Sequence, residues 1–168
     1  MSKKVPLLGM FVAFAVILSY VESCIPALGI PGMKIGLANL AIIIVLYLEG
    51  TKEAALCNLV RILIIGFMFG NLFSIFFAIA GAVLSLIIMD LMKKTNKFSI
   101  MTVSMFGGIF HNVGQIIVAI FVVDNYYVLG YLPILIITGA VTGIIIGIVS
   151  GLVLNRIDKF YNNKGDVQ

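Results

Sequence analysis

Six runs of apolar residues, at about 5–21, 37–49, 52–69, 72–92, 99–123 and 131–154, take up almost the whole chain, and the stretches between them are too short to fold alone. All but the second reach the roughly 17 to 25 residues that a helix needs to cross hydrocarbon. The second, about 13 residues long, fits a helix that begins at depth because the looped stretch before it already occupies part of the membrane. Strand-type alternation is absent, which excludes an outer-membrane barrel. The expected fold is therefore all-α, a bundle of six transmembrane helices forming a single integral membrane domain over residues 1–168. Composition agrees: 62% of residues are hydrophobic, 11% are charged and the mean hydropathy is +1.21, whereas a soluble domain is about half apolar and about a quarter charged.

The net charge of +4 reads as a topology signal. Lysines stand in short clusters between apolar runs, and no basic, aromatic-interleaved surface suggests a nucleic-acid partner. With the amino terminus inside, Lys3, Lys4, Lys52, Lys93, Lys94, Lys97, Arg156, Lys159 and Lys164 fall on the cytoplasmic side and only Lys34 on the outer side. This bias is the positive-inside pattern, and it puts both termini in the cytoplasm of a multi-pass protein of the cell membrane. Tyr20, Tyr126, Tyr127 and Tyr131 then gather at the outer interface. The start, MSKKVPLLGMFVAFAVILSY, also has the basic and apolar regions of a signal peptide, but the charge balance of the later segments fits better if it stays as the first span. Cys24 and Cys57 fall on opposite sides and belong to no CxxC or Cys/His cluster, so neither a disulfide nor a metal site is expected.

Between the first two runs lies ESCIPALGIPGMKIGLAN, residues 22–39. Pro26, Pro31, Gly29, Gly32 and Gly36 forbid a continuous helix there, so the backbone must find partners in protein or water. It is either an ordinary outer loop or the roof of a site. Its Lys34 is followed by Asn39 as the second run begins, and Glu22 closes the first run. Arg61 sits about nine residues into the third span, where a charge costs on the order of 2.5 to 3.5 kcal/mol on insertion scales. It must line a cavity or pair with an acid, and Glu22 is the natural acid. In the fifth run, His111, Asn112 and Gln115 make HNVGQ, with His111 and Gln115 on one helix face; they serve either as interhelical hydrogen-bonding groups or as ligand contacts. Together these residues predict an outward-facing cavity roofed by the loop. Its cationic groups, Lys34 and Arg61, imply an anionic small molecule.

Small residues mark close helix packing. Gly139, Gly143, Gly147 and Gly151 recur every four residues in the sixth run, Gly66 and Gly70 pair in the third, and Gly9 and Ala13 in the first. The motifs of catalysis are missing. Clustered carboxylates for magnesium, a Walker loop, HExxH and GxSxG are all absent, so a binding or transport role is expected, with no cofactor.

LLGMFVAFAVILSYVES in the first span, KIGLANL at the start of the second and HNVGQ in the fifth resemble the Gx transporter family, whose members are also labelled heptaprenyl diphosphate synthase component I. The resemblance covers nearly the whole chain. It implies kinship with the substrate-binding S components of energy-coupling factor transporters, six-helix proteins that capture a small molecule from outside beneath their first loop. The implied partners are a membrane coupling protein and two ATPase subunits. Gly9 and Ala13, matching the small-residue motif of the first helix, would face the coupling protein. The family's second label implies instead a non-catalytic membrane subunit associated with heptaprenyl diphosphate or quinone synthesis.

Overall fold

The computed structural model describes residues 4–25, 36–124 and 126–165, with side chains as far as residue 159 apart from Val123. Among them six α-helices follow one another: α1 (Lys4–Cys24), α2 (Leu37–Leu48), α3 (Thr51–Phe69), α4 (Leu72–Lys94), α5 (Ile100–Val123) and α6 (Leu132–Gly165), with a 3₁₀ segment, Tyr126–Tyr131, before the last. The described residues contain no strand. Four of the helices, α1, α4, α5 and α6, are long and apolar enough to cross a membrane, and α2 is a shorter apolar helix. Lys52, Glu53 and Arg61 set α3 apart as the most polar of the first five helices.

Local chemistry explains the boundaries. Pro6 and Pro133 fall in the first turns of α1 and α6, where a missing N–H costs nothing. The Asn71 side chain accepts from the Ser74 N–H at 2.8 Å while the Ser74 hydroxyl accepts from the Asn71 N–H at 2.9 Å, a capping box that starts α4. Ser99 caps α5 through the Thr102 N–H at 3.2 Å. The turn from α2 to α3 is only Glu49–Gly50, and Gly50 takes φ +110°, a backbone conformation that side chains resist. The expected spans agree with these helices to within a few residues except at the end of α6, which runs to Gly165 and not to 154. Hydropathy falls after Leu154, but NRIDK carries no helix breaker, so the helix continues beyond the apolar stretch.

The bundle is built around α2. Ala38 and every residue from Ala41 to Leu46 are buried, so this helix has no outward side and is covered all round. Phe11 of α1, Cys57 of α3, Met89 of α4, Val103 of α5 and Ile146 of α6 share its core. On the far side of the core, α5 lies between α4 and α6 at backbone contact. A Cβ at Gly143 would stand 2.7 Å from the Met105 Cα, one at Gly147 2.6 Å from the Met101 Cα, and one at Gly114 2.6 Å from the Ala80 carbonyl; Gly108 and Gly139 meet in the same way. Glycine is required at each, because a side chain there would push two backbones apart. Of the expected α6 series, Gly139, Gly143 and Gly147 seat α5, whereas Gly151 faces open space.

Charged groups tie together the end of the bundle that carries the α2–α3 turn. Lys4 meets Glu49 and Glu53 at 3.9 and 4.0 Å. Asp90 takes Lys94 at 2.6 Å and the Thr51 hydroxyl. Lys93 donates to the Leu46 carbonyl at 2.5 Å and lies over the Tyr47 ring, capping the end of α2. At the opposite end Tyr20 packs against Phe69 at 5.2 Å.

Candidate functional site

The side chains singled out in the sequence occupy several places in the bundle. Arg61 is at the α1–α3 seam. Its Nε and Nη2 both donate to the Asn58 side-chain oxygen, at 3.2 and 2.5 Å, and Nη1 donates to the Ser19 hydroxyl at 3.3 Å. Asn58 and Ser19 are buried, and Ser19 passes its own proton to the Ala15 carbonyl at 2.9 Å. The guanidinium is thus held in one orientation by neutral groups, a spacing of three along α3 bringing Asn58 onto its face.

Glu22 forms no ion pair with Arg61. Its carboxylate accepts instead from the Gly36 N–H at 2.5 Å. Gly36 stands at φ +79° just before α2, so this bond joins the end of α1 to the start of α2 and places a negative charge at the amino end of that helix. Among the described residues, the carboxylate-to-cation pairs all lie at the opposite end of the bundle, and no acid comes within ion-pair distance of Arg61. Lys34 lies outside the described residues.

His111 and Asn112, adjacent in α5, point to different helices. The His111 ring lies against Gly81 of α4, close enough that a Cβ there would be 3.0 Å from the imidazole. Asn112 donates to the Leu135 carbonyl of α6 at 2.6 Å. Gln115 is half-buried one turn on. Asn39 is separate again. It lines a partly open recess between α2 and α4–α6 with Gly36, Ile43, Met89, Ser104 and Thr142, and no residue of the Arg61 cluster contributes to it. The sequence reading missed Ser19, Asn58, Ser104 and Thr142. The i, i+3 spacing of Asn58 and Arg61 was a legible signal for one of them; small hydroxyls inside apolar runs carry none.

Gly9 and Ala13 lie on the outward side of α1, opposite the buried Phe11, Ala15 and Ser19, and a Cβ on Gly9 would meet nothing within 4 Å. Met10, Phe14 and Ile17 share that exposed side. Among the described residues no three His, Cys, Asp or Glu side chains gather as a metal group would need.

An all-helical bundle with several apolar helices of membrane-crossing length, enclosing polar side chains, is the architecture of a polytopic membrane protein. The chain belongs to the heptaprenyl diphosphate synthase component I family, whose model matches residues 11–153. Comparison with curated proteins and with solved structures gives no match.

Proposed function

We propose that this chain is a substrate-binding membrane subunit, similar to the S components of energy-coupling factor importers, which takes up a small anionic molecule from outside the cell. In this reading all six helices count as spans, both termini are cytoplasmic and the protein resides in the plasma membrane. The observation that carries it is Arg61, a cation in the interior of the third helix that is oriented by Ser19 and Asn58 and, among the described residues, has no carboxylate within ion-pair distance, Glu22 acting on it only from farther away. A charge at that depth is expensive unless it has a partner. Two neutral acceptors orient the fork and leave N–H groups over for an anion. The outward side of α1, where Gly9 and Ala13 are exposed and no other described helix covers them, supports docking of the coupling protein, which in turn works with two ATPase subunits. The chain itself carries out no chemistry.

Native mass spectrometry of gently purified protein tests this reading. A retained anionic molecule, lost in Arg61→Gln and weakened in Arg61→Lys, is the expected result. Retention by Arg61→Gln equal to wild type would refute it. The family's description favours a second reading, a non-catalytic membrane subunit of heptaprenyl diphosphate synthesis. Co-purification with a soluble prenyl synthase, without any small molecule, would select that one.

A further inference from the structure

The recess between α2 and α4–α6 is chemically unlike the Arg61 cluster. It is partly open, and its cavity volume is about 10 Å³, which is room for about one water or for one hydroxyl- or amino-sized end of a larger molecule. No ionisable side chain lines it. Its polar groups are Asn39, Ser104 and Thr142, set among glycines, Ile43, Ile146 and Met89. Both hydroxyls spend their protons elsewhere: Ser104 donates to the Gly143 carbonyl at 2.6 Å and Thr142 to the Thr138 carbonyl at 2.9 Å. Their oxygens are left as acceptors only. The carboxamide of Asn39 has no hydrogen-bond partner among the described residues, and it is not sealed off, since no fully buried side-chain polar atom is left unsatisfied.

We infer that this recess is a binding site for an uncharged group carrying an N–H or O–H donor, such as an amide or a hydroxyl. An anion is disfavoured because it would be desolvated against hydroxyl lone pairs with no cation to compensate. A cation is disfavoured because no carboxylate faces it. A purely apolar group would leave the Asn39 carboxamide unpaired, at the cost of an unmade hydrogen bond. A donor-bearing neutral group can give its N–H or O–H to these oxygens and pair with Asn39, which is able both to give and to accept. The inference stands independently of the Arg61 reading, since the two sets of residues share no member.

The test uses the full chain in lipid nanodiscs with Cys24→Ser and Cys57→Ala, and with Met89→Cys as a reporter on the recess wall; Ile146→Cys replaces it if that variant does not fold. The rate of modification by methyl methanethiosulfonate is measured with and without acetamide, acetone or acetate at equal concentration. These competitors are close in shape but are respectively a neutral donor, a neutral acceptor and an anion. Acetamide is expected to protect about threefold or more better than acetone at the same concentration, the worth of one net hydrogen bond, with acetate protecting no better than acetone. Asn39→Leu should remove the acetamide effect. Equal protection by acetate, no protection by any of the three, or protection that survives Asn39→Leu would each overturn the inference. The same ratio in Arg61→Gln separates the two sites, because its collapse there would merge the recess with the Arg61 cluster and overturn their independence.

Discussion

The two halves of the bundle are held together by different means. Helices α4, α5 and α6 meet backbone to backbone through glycines at 81, 108, 114, 139, 143 and 147. Helices α1 and α3 meet through side chains, with Arg61, Ser19 and Asn58 as the polar joint and Cys57 reaching the Leu8 carbonyl at 3.9 Å. A backbone seam tolerates no added atom, whereas a side-chain seam can be rebuilt one contact at a time. The first half is therefore the easier to rearrange, and the second serves as the fixed wall against which α2 and the recess are built.

The largest expected effect is on the glycine seam. Gly108→Val inserts a branched side chain where the Gly139 backbone already lies, and a destabilisation of about 3 kcal/mol or more follows; thermal unfolding in nanodiscs measures it. Gly9→Val on the outward side of α1 is the control and should leave the melting temperature almost unchanged. If both variants melt alike, the contrast between the halves is lost.

Next comes the polar joint of the first half. Asn58→Leu takes away the acceptor of two guanidinium N–H groups, and a loss of about 1 to 3 kcal/mol is expected for donors left unpaired. Arg61→Gln in the same background should recover part of it, a coupling that a double-mutant cycle reads directly. Additive losses would mean that Asn58 and Arg61 do not act together. A smaller effect belongs to Glu22→Gln, which weakens a charge-assisted bond to the Gly36 N–H and should cost about 1 kcal/mol. Faster amide exchange at the start of α2, with exchange in α5 unchanged, would place the loss at that bond; uniform exchange would not. The smallest is Lys93→Met at the opposite end, where loss of the Leu46 cap and the Tyr47 ring contact should lower stability by about 0.5 to 1 kcal/mol. An unaltered melting temperature would show that the α2 end needs no cation.

The helices were legible in the sequence because apolar run length and turn chemistry are local properties. Gly50, Asn71 and Ser99 sit where the chain must stop and restart, the first through a backbone conformation open to glycine and the other two through a side-chain bond to a neighbouring N–H. The far end of α6 was not legible from hydropathy, which reports where apolar side chains stop and not where hydrogen bonding along the backbone does. For the site the sequence offers an expected level and no direction. Counting residues along a span places Arg61, His111 and Asn112 at a level, but the direction each faces depends on which helix lies beside it. His111 and Asn112, about 100° apart on α5, consequently serve two different neighbours, α4 and α6. For α2 the difficulty was greater, because a helix apolar on every side offers no stripe from which to judge what it faces.

That all-round burial of α2 bears on how the protein responds to the bilayer itself. Twelve residues make a helix of about 18 Å, well short of a hydrocarbon layer about 30 Å thick. A lipid-exposed helix of that length would thin the membrane or tilt within it, but α2 touches protein on every side and its level is fixed by its neighbours. Changes in lipid chain length are then absorbed by the outer helices through tilt. Asn39 and Ile43, carried on α2, keep their positions across membranes of different thickness.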